Sequence, residues 1–405
     1  MFSYLREKIG INREMAAVLV AMGLSILAMS LLNPVLPLYL SSINVGTVLL
    51  GSMMSAAWFG MAVGEVGWGW LADRIGIRVA MLAGTFFTGL SVLMFVFTTS
   101  VPLIFAIFTV WGFLRSAIFG PVRGYIGSYS PLNKKATFMA FSAVMLSASS
   151  SLGALPSGFL ADSLGYHSVF FTSLGASVIG GIIVISAIKN RSDQTANTRY
   201  ESELETMSPQ NRFSFLSLIP QCVVTALMFL GKGFTLTFLP LFATEVVEIG
   251  VAMVGILFTA EGLTNLVLSV PMGMLADRIG KKAMMVIGLV ISAGAMAGIV
   301  FADSFTWVIL FMILNGAGMA AFSPAALSMF SDSVPLHRQN TAMGFYGGIC
   351  ENVGIFGGSA LGGIIWESLG YQFTFYTGAI ACGLAVLACC VLIKKPKTDR
   401  ATLPG

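Results

Sequence analysis

The sequence predicts an all-α integral membrane protein with twelve transmembrane helices, arranged as two six-helix bundles that repeat in the same orientation. Composition is the first observation, because hydrophobic residues make up 56% of the 405 residues and charged residues only 10%. The mean hydropathy is +0.88. A soluble domain carries about 25% charged residues, so this chain could not cover a water-facing surface. Composition therefore excludes cytosolic enzymes, nucleic-acid-binding proteins and disordered proteins.

Twelve apolar stretches are each long enough to cross a bilayer, which takes about 20 residues of helix. Clusters of charged or turn-forming residues separate them. The first stretch is longer than the apolar run of ~7–15 residues in a signal peptide, and we expect it to be retained as a helix. The predicted spans are 15–40, 47–70, 80–99, 102–128, 137–160, 168–188, 214–243, 251–274, 283–302, 305–332, 341–366 and 372–393.

Lysine and arginine predict the orientation. With the N-terminus in the cytoplasm, all 22 basic residues except Arg115, Arg123 and Lys232 fall in terminal segments or connections on the cytoplasmic side. An excess of lysine and arginine marks cytoplasmic loops. The sequence therefore predicts a multi-pass protein of the plasma membrane with both termini in the cytoplasm.

One polar segment divides the chain. Residues 189–213 are charged and nearly free of large apolar side chains, a composition typical of a flexible linker. We expect an N-terminal six-helix bundle over residues 1–188 and a C-terminal six-helix bundle over residues 214–405.

The two predicted bundles share an internal repeat. The segment Gly69–Arg78, which reads GWLADRIGIR, recurs as Gly273–Lys282, GMLADRIGKK, at an offset of 204 residues. Ser163–Tyr166 recurs as Ser368–Tyr371 at an offset of 205. An even number of spans separates the matched points, so the copies have the same orientation. Parallel repeats about an axis along the membrane normal are a recurring transporter architecture, with the substrate site near the midplane between the halves.

These two segments resemble the motif Gly-x-Leu-Ala-Asp-Arg-x-Gly-Arg-Lys, which follows the second span in the major facilitator superfamily. The resemblance covers the whole chain and is closest to the twelve-span drug–proton antiporters, through the stretch Asn33–Tyr39 and a glycine-rich fifth span. It implies the two-bundle fold and transport by alternating access.

The resemblance also implies that both motif loops act as a conformational latch. We expect Gly69 and Gly273 to permit close helix packing, and Asp73 and Asp277 to meet a helix N-terminus or a basic side chain. We assign Glu65 to the same latch. The full set of predicted latch residues is Glu65, Gly69, Asp73, Arg74, Gly76, Arg78, Gly273, Asp277, Arg278, Gly280 and Lys281.

Six ionisable side chains fall within the predicted spans. Each costs about 2.5–3.5 kcal/mol on insertion scales, and such residues usually face the bundle interior or a water-filled cavity. Four of them, Arg115, Lys232, Glu261 and Glu351, can share a layer near the midplane. Glu261 and Glu351, for example, each lie roughly 15 Å into their spans at 1.5 Å per residue. The six are Glu65, Arg115, Arg123, Lys232, Glu261 and Glu351.

Two interpretations of the midplane layer stay open. In the functional one, Glu261 and Glu351 couple transport to protons, because burial favours the protonated form of a carboxyl group. Arg115 and Lys232 then bind substrate or switch charge, with Asn33 and Asn315 as candidate hydrogen-bonding residues. In the structural one, the acids and bases pair permanently and hold the halves in register.

The sequence thus predicts a secondary-active transporter and not an enzyme. We expect proton-coupled efflux of small amphipathic or organic compounds. The alternatives are a proton-coupled importer of an organic anion and a non-transporting sensor on the same scaffold. The expected partners are a small-molecule substrate, protons and the lipid bilayer, without nucleic acid, cofactor or metal, and we expect a monomer.

Overall fold

The computed structural model describes residues 13–98, 100–119, 121–122, 125, 135–188, 218–334 and 345–393, with the backbone alone for residues 13, 66, 69, 73 and 135–144. Every regular element among them is helical. Twelve long segments follow one another along the chain, and we label them α1 to α12. They are Arg13–Leu32 with its continuation Leu36–Ser42, Thr47–Ile75, Ile77–Val96, Val101–Ile118, Lys135–Leu164, Tyr166–Ala187, Ile219–Leu241, Val251–Ile279, Lys281–Ile299, Phe305–Asp332, Tyr346–Leu369 and Tyr371–Leu392.

These segments confirm the predicted all-helical membrane fold. Eleven are long and apolar enough to cross a bilayer by length and composition. The other, α5, is 30 residues long and carries a serine-rich stretch in its middle. The predicted linker, residues 189–213, and the predicted intramembrane Arg123 lie outside the described residues.

The predicted motif loops are helical, and this corrects the predicted ends of two spans. Helix α2 continues to Ile75 and α8 to Ile279, five residues beyond each predicted limit. Each helix then ends at one glycine, Gly76 with φ +87° and Gly280 with φ +100°. Helices commonly end at a glycine with positive φ, and the charged residues in the last turns of α2 and α8 do not end these helices earlier.

The backbone itself repeats between the halves. Six described residues have a positive φ, and they form three pairs at offsets of 204 or 205 residues. Equivalent turns therefore have equivalent conformations in both halves. The pairs are Asn44 with Glu248, Gly76 with Gly280, and Gly165 with Gly370.

One helix crossing is repeated at close range in both halves. In the N-terminal half α4 crosses α2 at Gly112, where a Cβ atom would overlap the carbonyl oxygen of Ala57. In the C-terminal half α10 crosses α8 at Gly316, where a Cβ atom would overlap the carbonyl oxygen of Glu261. Small residues let membrane helices approach this closely. The two crossings lie 204 residues apart, so the repeat preserves the packing that positions the neighbouring side chains.

The two halves meet along a seam formed by α2 against α11 and by α5 against α8. A Cβ atom at Gly51 of α2 would lie 2.5 Å from the carbonyl oxygen of Ser359 in α11. The equivalent contact places Gly255 of α8 against α5, where a Cβ atom would lie 2.7 Å from the carbonyl oxygen of Ala154. The seam is therefore tight and two-fold related near the starts of α2 and α8.

We call the end of the bundle where α2 and α8 end the motif end, and the opposite end the far end. Two carboxylates join the halves at the far end. Glu245 accepts a hydrogen bond from Ser41 Oγ at 2.7 Å. Glu367 accepts hydrogen bonds from Thr47 Oγ1 at 3.1 Å and from the Val48 amide at 3.3 Å. The acceptor at the start of α2 also suits the positive end of its helix dipole. These contacts favour a closed far end.

We expect Gly112→Ala to destabilise the protein. The new methyl group overlaps the Ala57 carbonyl oxygen, so α2 and α4 must separate, at a cost of about 1–3 kcal/mol for overpacking. Thermal unfolding in detergent, followed by circular dichroism, measures the loss. Gly67→Ala in α2 is the matched control, because no heavy atom lies within 4 Å of its new Cβ. Equal unfolding temperatures for the two variants would contradict the assigned crossing.

We expect Glu367→Ala to open the far end part of the time. The lost hydrogen bonds are exposed and contribute about 1 kcal/mol, which corresponds to a roughly fivefold shift between closed and open populations. Electron–electron distance measurements between spin labels at positions 44 and 248 report the change. Asp303→Ala, an exposed acid in the loop between α9 and α10, is the control. Identical distance distributions for the two variants would remove Glu367 from this role.

Candidate functional site

A buried acid–base cluster lies in the C-terminal half. Lys232 of α7 forms an ion pair with Glu261 of α8. Asn315 of α10 donates a hydrogen bond from Nδ2 to the same carboxylate oxygen, Oε1, at 2.9 Å. Side chains of α7 and α10 thus meet one carboxyl oxygen of α8. The contact of Lys232 with Glu261 is one of the pairings of midplane acids and bases that the sequence left open, and Asn315 is an added partner.

The helix crossing described above sets this geometry. Gly316 lies against the backbone of Glu261, so the preceding residue, Asn315, is held beside the Glu261 side chain. Glu261 lies ten residues from the start of α8 and Asn315 ten residues from the start of α10, or about 15 Å along each helix. The cluster therefore lies near the middle of the bundle.

Both charged side chains of the cluster are largely buried. The side chain of Glu261 is 6% exposed and that of Lys232 is 17% exposed. An ion pair at this depth is tolerated because each charge neutralises the other and hydrogen bonds satisfy the carboxylate. Removal of either charge would leave the other buried without a counter-charge.

The cluster adjoins the seam between the halves. Gly262 follows Glu261 on α8, and a Cβ atom there would lie 2.5 Å from Ser151 Oγ of α5. The backbone next to Glu261 is therefore in close contact with the other half.

A second buried carboxyl group forms a hydrogen bond across the seam itself. Glu65 of α2 accepts a hydrogen bond from Asn352 Nδ2 of α11 at 3.2 Å. Gly348, which is on α11 like Asn352, lies against the Glu65 side chain. Asn352 follows a π-helical turn, Tyr346–Glu351, and such turns are frequent at functional sites. Glu351 ends this turn and is half-buried.

The other predicted site residues lie elsewhere. Arg115, at the end of the α-helical part of α4, is 3% exposed, and its Cζ atom lies 4.4 Å from the ring centroids of both Trp58 and Trp111. Asn33 lies at the interruption of α1 before Pro34 and is half-buried. The structure thus places Arg115 in the N-terminal half, apart from the acid–base cluster.

The described latch residues bind mainly within their own half. Arg78 donates to the Ile185 carbonyl oxygen of α6 at 2.6 Å. Lys281 pairs with Asp332 of α10 at 2.5 Å, and the Arg74 guanidinium lies 3.9 Å from the centroid of the Trp70 ring. Of the predicted latch residues with described side chains, Glu65 is the one for which the structure gives a hydrogen bond across the seam.

Two expectations for the motif are not met by this geometry. Gly273 is not at a close helix contact, since the nearest atom to a Cβ there is the Pro324 Cβ at 3.9 Å. Asp277 is exposed in the last turn of α8 and forms no ion pair with any residue that the structure describes. Only the backbone of Gly69 and Asp73 is described, and the latch role stays a prediction.

Sequence reasoning missed three parts of the site. It did not connect Trp58 and Trp111 with Arg115, although Trp111 stands four residues before Arg115, the spacing of neighbours on one helix face. It also did not pair Asn352 with Glu65. Finally, no charge pattern in the sequence predicted the hydrogen bonds across the seam at the far end.

Metal ligands are not concentrated at this site. Within the ranges that the structure describes, His, Cys, Asp and Glu side chains form no group of three or more that could hold a metal ion.

Comparison with known proteins places the chain in a family. The model of the Major Facilitator Superfamily matches twice, over residues 18–220 and 221–405. The uncharacterized MFS-type transporter MJ1560 of Methanocaldococcus jannaschii is 23% identical over 365 residues, which cover 88% of this chain and 92% of the relative. The quinolone resistance protein NorA of Staphylococcus aureus is 28% identical over 171 residues, or 42% of this chain and 43% of NorA.

Solved structures show the same fold. A mutant of the nucleoside transporter NupG superposes with a TM-score of 0.77 at 14% identity, over 95% of this chain and all of NupG (100%). A D-xylose–proton symporter superposes with a TM-score of 0.75 at 14% identity, over 94% of this chain and 98% of the symporter. Two family matches, one in each half, and the two-fold helical architecture lead to one conclusion: the chain belongs to the Major Facilitator Superfamily and is a membrane transporter.

Proposed function

We propose that this transporter is a proton-coupled exporter of small amphipathic or organic compounds. It works by alternating access in the plasma membrane, as a monomer with both termini in the cytoplasm. The observation that carries the coupling is the cluster of Lys232, Glu261 and Asn315, in which one buried carboxylate holds two donors from different helices. The partial likeness to a quinolone resistance protein supports export.

Protonation of Glu261 is the proposed driving step. The ionised carboxylate compensates the charge of Lys232 and holds α7, α8 and α10 together. A proton neutralises the carboxylate, and the Lys232 ammonium then lies in a low-dielectric site without a counter-charge. The arrangement that relieves this cost is one in which Lys232 reaches water or a substrate, so proton binding favours a different packing of the three helices.

The seam converts that repacking into access. Glu261 is followed by Gly262, which lies against Ser151 of the other half, and the same helix carries the far-end contact at Gly255. Movement of α8 therefore alters a contact at mid-depth and a contact at the far end together. Glu351, at the π-helical turn of α11, is the proposed second proton-coupling group.

We expect Glu261→Gln to abolish substrate-driven proton flux, with at least a tenfold loss, because an amide cannot take up and release the proton. Sealed liposomes with an internal pH dye measure the flux when lipophilic cations, neutral drugs or organic anions are added. Glu351→Gln is expected to reduce the flux as well, and Asp303→Asn is the matched control. Undiminished flux through Glu261→Gln would exclude Glu261 as the carrier.

We expect the ion pair to show strong coupling in stability. Lys232→Met and Glu261→Gln each leave one buried charged group without its partner, at a cost of about 3–5 kcal/mol. The double variant removes both charges, so its loss is predicted to be smaller than the sum of the single losses. Unfolding in mixed micelles of increasing sodium dodecyl sulfate content measures all four proteins. Additive losses would show that the pair contributes no coupling energy.

A further inference from the structure

Arg115 lies in an aromatic clamp, the pair of indole rings of Trp58 and Trp111. Its Cζ atom lies 4.4 Å from the ring centroids of Trp58 on α2 and Trp111 on α4. Arg115, Trp58 and Trp111 are 3%, 8% and 2% exposed. The tight crossing of α2 and α4 at Gly112 holds these rings in place. Cation–π contact compensates part of the cost of burying the guanidinium, but it supplies no hydrogen-bond acceptor.

The clamp contains hydrogen-bond donors without acceptors. Arg115 Nε, Arg115 Nη2 and Trp111 Nε1 are buried, and none has a hydrogen-bond partner among the residues that the structure describes. Buried polar groups in proteins are nearly always hydrogen-bonded. Three donor nitrogens without a partner in one cluster, two of them on the charged guanidinium of Arg115, therefore mark a place where an acceptor is missing.

The other half shows what fills the equivalent place. The repeat offset of 204 residues relates Gly112 to Gly316 and Ala57 to Glu261. The C-terminal half thus has a carboxylate at its helix crossing, paired with Lys232, whereas the N-terminal half has the methyl group of Ala57. Glu65, the described carboxyl group on the same helix as Trp58, is engaged by Asn352 across the seam.

The clamp borders the surface that parts during alternating access. Phe59 follows Trp58 on α2, and its ring centroid lies 6.0 Å from that of Phe356 on α11 of the other half. Separation of α2 from α11 would uncover the helix face beside Trp58. The clamp is therefore covered in the present arrangement and lies beside the surface that the separation of α2 from α11 would expose.

We propose that Arg115 and Trp111 bind the carboxylate of a transported organic anion with a flat apolar body, which names the substrate class of the exporter proposed above and rests on that function. The guanidinium presents a planar fork that matches a carboxylate with two parallel hydrogen bonds. The indole N–H supplies a further donor. The aromatic rings favour a flat hydrocarbon body, and a cationic substrate is disfavoured because it would meet an uncompensated positive charge.

Matched probes test the charge preference. Purified full-length protein in lipid nanodiscs is titrated calorimetrically with 2-naphthoate, 2-naphthamide and 2-naphthylmethylamine, which share a ring system and differ in the polar group. We expect 2-naphthoate to bind at least tenfold more tightly than the neutral amide, and the amine to bind most weakly. Equal affinities for the carboxylate and the amide would overturn the proposal.

Variants test the residues. Arg115→Gln is expected to weaken 2-naphthoate binding at least tenfold and to leave 2-naphthamide binding within about twofold. Trp111→Phe keeps the ring and removes the N–H, and we expect a three- to tenfold loss for 2-naphthoate. Arg115→Lys keeps the charge without the planar fork, and its loss of 2-naphthoate affinity should lie between the losses of Trp111→Phe and Arg115→Gln. Trp307→Phe, at a half-exposed ring on α10, is the control and should change nothing.

Three further outcomes decide the matter. If Arg115→Gln does not fold, the Trp111→Phe result alone decides, and unchanged 2-naphthoate affinity there overturns the proposal. Sodium sulfate that raises the unfolding temperature through Arg115, without any preference for 2-naphthoate, identifies an inorganic-anion site and overturns it too. If cations drive proton flux that depends on Glu261 and no carboxylate binding depends on Arg115, this inference is refuted and the proposed function stands. If 2-naphthoate binds through Arg115 but no compound drives proton flux, the inference stands and the proposed function is refuted.

Discussion

The close crossing of two helices in each half is the constraint on which both charged clusters depend. At Gly112 and at Gly316 the absence of a side chain brings one helix against the carbonyl oxygen of its neighbour. The residues beside each crossing are then held within contact distance. In one half this places Asn315 on the Glu261 carboxylate, and in the other it places Arg115 between two indole rings. The same close helix crossing therefore positions two different charged clusters.

Charge compensation separates the roles of the halves. The C-terminal cluster contains its own counter-charge, which suits the proton-coupling role proposed for Glu261. The N-terminal clamp contains donors and no acceptor among the described residues, so its charge is compensated only from outside. The proposed function needs both kinds of response, one to the proton and one to the transported anion. The seam through α2 and α8 connects them, because each of these helices carries part of one cluster and part of the contact between halves.

Much of this architecture is predictable from the sequence because bilayers impose simple rules. Apolar length predicts the spans, the placement of basic residues predicts orientation, and an offset of 204 residues predicts two equivalent halves. Depth along the helix also predicts one layer for Lys232 and Glu261, which the structure pairs, but it did not identify Asn315 as their neighbour. Helix rotation is not predictable in this way, so the pairing of Glu65 with Asn352 and the clamp around Arg115 were missed. The helix ends were misplaced because a terminal glycine, and not a charged pair, stops α2 and α8.

The hydrogen bond between Ser41 and Glu245 has a consequence for how such a chain can arise. The two residues are 204 positions apart, so they are copies of one position that touch each other, which places them at the pseudo-two-fold axis. In a dimer of two identical six-helix chains, a residue on that axis would face itself. Two glutamates there would repel, and two serines would lack an ionised acceptor. Fusion of the copies into one gene lets the two positions mutate independently, and so permits a donor–acceptor pair that symmetry denies to a homodimer.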